Sequence, residues 1–279
     1  MIAPLYSPAR VRELLEHYGL RPSKGFGQNF LIDGNTLRFI VDSSGAGPGA
    51  SVLEVGPGLG VLTRALAETG ANVTTLEKDL RLEAVLSETL EGLRNVRLMF
   101  TDALTWDYST LPQNSFLCAN LPYYISTALL TKFLESARFT RLTVLVQREV
   151  ADRLEAKPGG DGYGFLSALI AFYGHAERLR DVSKNAFYPA PDVTSSVVQI
   201  HVTPGAAPRH GVIRVLEAIL GHRRKTIRNN LKLAGYSDAQ IEAALLHAKL
   251  EPGVRGEVVA LDAIVTLAEI LEPGPLSLL

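Results

Sequence analysis

Ser51-Val-Leu-Glu-Val-Gly-Pro-Gly-Leu-Gly60 carries a short β-rich run into a glycine-rich turn, and a helical pattern follows over residues 59–68. Such a strand–loop–helix unit lets the backbone pass close to a nucleotide-like ligand. Gly56, Gly58 and Gly60 have no side chain to block that approach, and the start of the helix offers unpaired N–H groups. Nicotinamide, flavin and methyl-transfer proteins all use versions of this turn, and a tight turn with no ligand would use the same glycines.

Working outward, β-rich runs at 72–77, 96–101, 116–119 and 143–146 alternate with helical patterns at 80–90, 127–136 and 149–156. Alternation of this kind predicts a parallel sheet covered by helices on both faces. A helix over 163–173 precedes two apolar runs, 176–182 and 195–202, expected as an antiparallel pair at the sheet edge. Towards the N-terminus, Ser7 and Pro8 read as N-cap and first helical residue, Val11, Leu14, Leu15 and Tyr18 share one face, and Gly19 stops the helix. An irregular stretch at 22–29 leads to a second helix after Asp33. The segment 203–210, TPGAAPRH, is a linker candidate. Beyond it the strand signals cease, and helices are predicted over 212–220, 225–234, 238–249 and 257–271. The fold class is therefore α/β: a Rossmann-like sheet with an antiparallel edge strand over 1–205, plus a small all-α C-terminal domain over 206–279.

Composition sets outer limits. The chain has 279 residues, 47% hydrophobic and 20% charged, enough to bury a full core. No apolar run reaches spanning length, and charges stand where a signal peptide needs its apolar stretch, so neither a membrane partner nor export is expected. The lone Cys118 excludes an internal disulfide, and a cytoplasmic setting is expected. The six histidines and Cys118 show no metal-ligand spacing, so no metal is expected. The net charge is −1, but residues 209–235 hold seven Lys or Arg against one acid, Glu217, which points to a local anionic partner.

Two acids sharpen the reading of the loop. Glu77 ends the second β-rich run, 17 residues after Gly60, where a carboxylate accepts both hydrogen bonds of a ribose diol. Asp102 ends the third, placed to accept from an adenine amino group. NAD fits the spacing to Glu77 as well. The glycines suit it less, because Val61 stands where GxGxxG would need its last glycine.

The apolar run 116–119 ends in Asn120-Leu-Pro-Tyr123, and this tetrapeptide bears on the chemistry. An exocyclic amine on a purine is a poor nucleophile because its lone pair is delocalised into the ring. The Asn120 side-chain oxygen and the Leu121 carbonyl are candidates to accept its two N–H bonds and localise that lone pair. Pro122 stiffens the backbone that aims them, and Tyr123 offers a flat face for an extruded base. No strong base is needed, since the amine once alkylated is acidic enough to lose a proton to water. A plain Asn-X-Pro turn with a half-buried tyrosine is the competing reading. Dehydrogenases have no use for such a motif.

These residues resemble the bacterial small-subunit ribosomal RNA adenine dimethyltransferases, the kasugamycin-resistance family, over nearly the whole chain. Gly27-Gln-Asn-Phe-Leu31 is similar to the family's N-terminal motif, which implies that Asn29 and Leu31 contact S-adenosylmethionine. Glu54–Gly60 resembles its glycine loop, and Glu77, Asp102 and Asn120 match its ribose, adenine and methyl-site positions. Phe187-Tyr-Pro-Ala-Pro-Asp-Val-Thr-Ser195 is similar to its F-x-P-x-P-x-V-x-S segment, which implies that Phe187 packs on the target base opposite Tyr123. Arg223-Arg-Lys-Thr-Ile-Arg-Asn-Asn-Leu231 resembles its RNA-facing basic helix, which places Arg223, Arg224, Lys225 and Arg228 against phosphates.

The resemblance implies a class I methyltransferase sheet with S-adenosylmethionine as cofactor, acting as a monomer. It implies dimethylation of two adjacent adenosines in a hairpin loop near the 3′ end of 16S RNA, within an immature small subunit. Three alternatives stand beside it. One is a macrolide-resistance methyltransferase of large-subunit RNA, which typically has isoleucine where Leu121 stands. Another is an assembly factor that binds RNA without chemistry. The third is a DNA adenine methyltransferase.

Overall fold

In the computed structural model, residues 3–23, 25–203 and 209–273 are described. In chain order the elements are α1 Pro8–His17, β1 Phe30–Leu31, α2 Gly34–Ser44, β2 Ser51–Val55, α3 Val61–Glu68, β3 Asn72–Glu77, α4 Glu83–Thr89, β4 Val96–Phe100, β5 Ser115–Asn120 and α5 Ser126–Glu135. They continue as β6 Phe139–Gln147, α6 Arg148–Glu155, α7 Phe165–Tyr173, β7 Gly174–Val182, β8 Phe187–Tyr188, β9 Ser195–Val202, α8 His210–Leu220, α9 Ile227–Leu233, α10 Asp238–His247 and α11 Leu261–Leu271. Most of the predicted linker, residues 204–208, lies outside the described residues.

The main sheet has seven strands in the order β4-β3-β2-β5-β6-β9-β7. Strands β4, β3, β2, β5 and β6 are parallel, and β9 runs antiparallel to β6. The expected antiparallel strand is thus present, with β7 at the edge beyond it. Val52, Leu53, Leu117, Cys118 and Ala119 are fully buried, as a strand covered on both faces requires. Chain order runs β2 to β3 to β4 on one side, then crosses to β5 on the other side of β2. That reversal opens a crevice beyond the carboxyl ends of β2 and β5, the usual ligand position in open α/β sheets.

Local signals account for the helix starts. Ser7 caps α1 by accepting from the Arg10 N–H with Pro8 in the first turn, and Asp33 caps α2 by accepting from Thr36. A second, two-stranded sheet pairs β1 with β8, Phe30 opposite Tyr188 and Leu31 opposite Phe187. Two-residue strands carry no periodicity, so residue pattern predicts no strand there.

The chain divides into two compact units: Met1–Ala151 with Ala176–Gly205, and Asp152–His175 with Ala206–Leu279. The second unit thus takes in residues 152–175, which the expected division after residue 205 left in the first domain. Tyr163 and Ala168 are buried in one apolar cluster with Val215, Leu216, Ile264 and Leu267 of the C-terminal helices, so α7 belongs to the second unit. Its helical pattern is as good a core former for either unit, and only the packing assigns it. No helix among the described residues is long and apolar enough to cross a membrane.

Candidate active site

Four strand ends meet at one edge of the sheet. Gly56 follows β2, Glu77 ends β3, Asp102 follows β4 and Asn120 ends β5. Parallel register aligns them, with Val55 opposite Leu76 and Glu77 opposite Phe100. They line one cleft, part of it open to solvent, together with Asn29, Leu31, Gly58, Leu121, Pro122 and Tyr123.

The three loop glycines do different work. All have positive φ, at 73° for Gly56, 57° for Gly58 and 81° for Gly60, a backbone region that side chains rarely adopt. A Cβ at Gly58 would lie 3.0 Å from the Phe30 ring, so this glycine lets the N-terminal segment close over the loop. A Cβ at Gly60 would lie 2.9 Å from Thr89 Oγ1. Gly60 therefore serves the seating of α3 against α4, and it does not line the cleft.

Glu77 is 7% exposed, and its Oε1 accepts from the backbone N–H groups of Lys78 at 2.8 Å and Asp79 at 2.7 Å. Burial pushes its carboxyl above the ordinary range, against the pull of those N–H donors. A carboxylate offers about four lone-pair sites, so acceptor capacity remains for a diol. Asp102 Oδ1 accepts from the Leu104 N–H, and its Oδ2 meets the Lys78 ammonium at 2.8 Å. The Lys78 hydrogen bond holds this carboxyl below its usual range.

Asn120 is oriented by the N-terminal segment. Its Nδ2 donates to the Asn29 carbonyl at 3.1 Å, which leaves Oδ1 as the amide's acceptor. Asn29 Nδ2 in turn donates to the Gly27 carbonyl at 3.1 Å, and Gln28 Nε2 donates to Asp79 Oδ2 at 2.9 Å. The Leu121 N–H donates to the Leu145 carbonyl on β6, which ties the motif to the sheet. The Tyr123 hydroxyl lies 2.6 Å from Ser195 Oγ at the start of β9, so its ring has a fixed inclination. Glu54, at the foot of the cleft, is 1% exposed and accepts from Thr63 Oγ1 at 2.5 Å and Thr75 Oγ1 at 3.0 Å. Burial pushes its carboxyl up to about 7.

Two further sequence expectations change here. Phe187 does not reach the cleft. It is 2% exposed and packed in the core with Leu31, Ile40 and Val52, because pairing with β1 turns its ring inward. Nor do Arg223, Arg224 and Lys225 lie on a helix. They occupy an exposed turn between α8 and α9, and α9 begins only after Thr226, which caps it by accepting from the Asn229 N–H. Arg228, on α9, is held by Asp238 at 3.1 Å and Glu242 at 3.2 Å, while Arg223 meets Glu257 at 3.8 Å. Among the described residues Arg224 and Lys225 make no ion pair. Asn230, 1% exposed, anchors this turn through donation to the Ile219 carbonyl at 2.8 Å and the His222 carbonyl at 3.3 Å.

Lys78, Phe26 and Tyr124 also line the cleft and were not among the expected site residues. Each stands next to a motif residue, but nothing in local pattern distinguishes a cleft-facing neighbour from a solvated one. Among the described residues no group of three or more His, Cys, Asp or Glu is placed to hold a metal ion.

Comparison with known proteins agrees with this geometry. A family model described as ribosomal RNA adenine dimethylase matches residues 20–272. The ribosomal RNA small subunit methyltransferase A of Deinococcus radiodurans is 54% identical over 270 residues, covering 96% of this chain and 92% of that one. The protein of the same name from Anoxybacillus flavithermus is 37% identical over 289 residues, with 98% of each covered. Among solved structures, the 23S rRNA methyltransferase ErmE aligns with a TM-score of 0.62 and 28% identity over 88% of this chain and 100% of that one. A dimethyladenosine transferase from Plasmodium falciparum, 22% identical, shares the fold with a TM-score of 0.70 over 85% of this chain and 95% of that one. The aligned strand ends, the amide set by Asn29 and the match over residues 20–272 converge: the chain belongs to the ribosomal RNA adenine dimethylase family.

Proposed function

We propose that this protein dimethylates the N6 amine of two adjacent adenosines in a 3′-terminal hairpin loop of 16S rRNA, using S-adenosylmethionine, during small-subunit biogenesis. The observation that carries the chemistry is the Asn120 amide, whose nitrogen is engaged by the Asn29 carbonyl so that its oxygen is the acceptor. The small-subunit substrate is supported by relatives of that name at 54% and 37% identity, above the 28% of the large-subunit enzyme structure. Intact Glu77, Asp102, Asn120 and Tyr123 in one cleft speak against an assembly factor without chemistry.

The residues fit S-adenosylmethionine. The left-handed glycines leave the loop backbone open, Glu77 and Asp102 stand one strand apart for the ribose and adenine, and Asn29 and Leu31 cover the near side. When bound, this cofactor supplies an electrophilic methyl group. Asn120 Oδ1 and the Leu121 carbonyl accept the N–H bonds of the adenine amine, localise its lone pair and stabilise the positive charge that develops there. Pro122, at φ −58°, limits backbone drift between those two acceptors. Tyr123 stacks on the extruded base with its hydroxyl pinned to Ser195. The released proton passes to water. Phe187 supports β1 from the core.

The second unit, with the exposed turn at Arg223, Arg224 and Lys225, is read as the RNA-binding part, and the chain as a monomer in the cytoplasm. The first experiment is to incubate the purified protein with immature 30S particles, or with naked 23S RNA, and S-adenosylmethionine, and to measure nucleoside masses. Dimethyladenosine in 16S RNA alone is expected. Its appearance only in 23S RNA, or in neither, rejects the reading.

A further inference from the structure

Tyr124 directly follows the Asn-Leu-Pro-Tyr segment, but its side chain has a different fate from that of Tyr123. Tyr123 is held to Ser195, whereas Tyr124 is 57% exposed, and both line the same cleft. They sit in a single 3₁₀ turn, Tyr123–Ile125, in which successive side chains point about a third of a turn apart. One ring is thereby directed inward and the next to the cleft mouth. The exposed ring lies beside the N-terminal segment: a Cβ added to Gly27 would lie 3.5 Å from Tyr124 Cδ1, and Gly27 has a positive φ of 62°. A side chain at 27 would therefore meet the ring in ordinary contact and be strained by the backbone alone.

Among the described residues, two cations near this rim are each held by an acid. Lys78 is held by Asp102 at 2.8 Å, and Arg81, over the Phe26 ring, is held by Asp79 at 2.6 Å. The rim therefore gains no free charge from these two. It offers a flat, water-exposed aromatic face beside the place where the target base enters.

We propose that Tyr124 is a specificity-determining residue that stacks on the base of the nucleotide adjacent to the target adenosine. This rests on the reading that two neighbouring adenosines are the substrates: while one occupies the site at Asn120 and Tyr123, the other lies on Tyr124. Stacking on an aromatic ring is indifferent to charge, so its contribution persists as salt rises, unlike that of phosphate contacts.

The test compares Tyr124→Phe, Tyr124→Leu and Tyr124→Ala in the full chain with wild type. Three quantities are read: kcat/KM on small-subunit particles, Kd for S-adenosylmethionine, and RNA affinity against salt. Tyr124→Phe is expected to match wild type. The Leu and Ala variants are expected to lose about tenfold in kcat/KM and RNA affinity, as one lost base stack implies. Their salt slope and cofactor Kd should be unchanged. Wild-type kcat/KM in Tyr124→Leu overturns the proposal. So does an equal loss in cofactor Kd, which would make the ring a brace for the Gly27 loop. Absence of methylation by the wild-type protein would instead overturn the functional reading, so the two failures are distinct.

Discussion

The Tyr123 hydroxyl and Ser195 Oγ lie 2.6 Å apart, although 72 residues separate them in the chain. Ser195 is fully buried at the first position of β9, opposite Gln147 on β6, so the sheet itself fixes the partner of the Tyr123 hydroxyl. Burial pushes the Tyr123 phenol above its ordinary range, which keeps it a neutral hydrogen-bonding group. The last residue of the F-x-P-x-P-x-V-x-S segment thus acts on the site through Tyr123, while its first, Phe187, stays in the core.

Ser195→Ala should lower kcat/KM because the Tyr123 ring loses its inclination. It should also destabilise the fold by about 1–3 kcal/mol, the usual cost of a buried polar group left unpaired. Tyr123→Phe removes the same bond from the other side. The two changes together should cost less than their sum, since they delete one interaction. Strict additivity in denaturation and in turnover would mean the bond orients nothing.

Asn120→Ala should leave S-adenosylmethionine binding measurable while cutting turnover by about two orders of magnitude or more, typical of losing one aligned acceptor. Asn120→Asp should fail as well, for a different reason: its carboxylate has no N–H for the Asn29 carbonyl and would be repelled by it. Single-turnover rates at saturating cofactor read this directly. Near-normal turnover in Asn120→Ala would remove the residue from the mechanism.

Arg224→Ala combined with Lys225→Ala should weaken RNA binding and flatten the plot of log affinity against log salt by about 1.5, near the 0.7–0.9 expected for each released phosphate contact. Arg228→Ala should change the slope less, because that guanidinium is already held by Asp238 and Glu242. A larger effect from Arg228 would mean those ion pairs open when RNA arrives. Binding titrations over a salt series separate the outcomes.

Stability should fall as pH rises through the range in which Glu54 ionises. Burial raises its carboxyl from 4.5 to about 7, so the folded protein holds a proton that the unfolded chain has released. The stabilisation is fully present below the unfolded value and is lost progressively up to the folded one, a loss of about 3 kcal/mol. Glu54→Gln removes this titration. The wild-type stability relative to that variant should drop between about pH 5 and about pH 8 by denaturant unfolding. Parallel pH profiles would show that Thr63 and Thr75 keep the carboxylate ionised throughout.

Much of this molecule is written in local pattern. A β-rich run ending in glycines specifies the crossover from β2 to α3, and alternating strands and helices specify a parallel sheet. A parallel sheet then forces Gly56, Glu77, Asp102 and Asn120 to one edge, because strands that all point the same way end together. The cap at Ser7 and the helix start after Asp33 were legible for the same reason, since each side chain accepts from an N–H three residues away. Other features needed the tertiary structure. The Asn120 amide takes its orientation from Asn29, 91 residues earlier, and α7 takes its side from Val215 and Leu216. Phe187 is buried by a two-residue strand, and the charge of Arg228 is spent on acids of α10. Residue type and spacing state what a side chain can do. Which partner it meets depends on chain segments brought together only when the sheet and its helices pack, and no local periodicity records that.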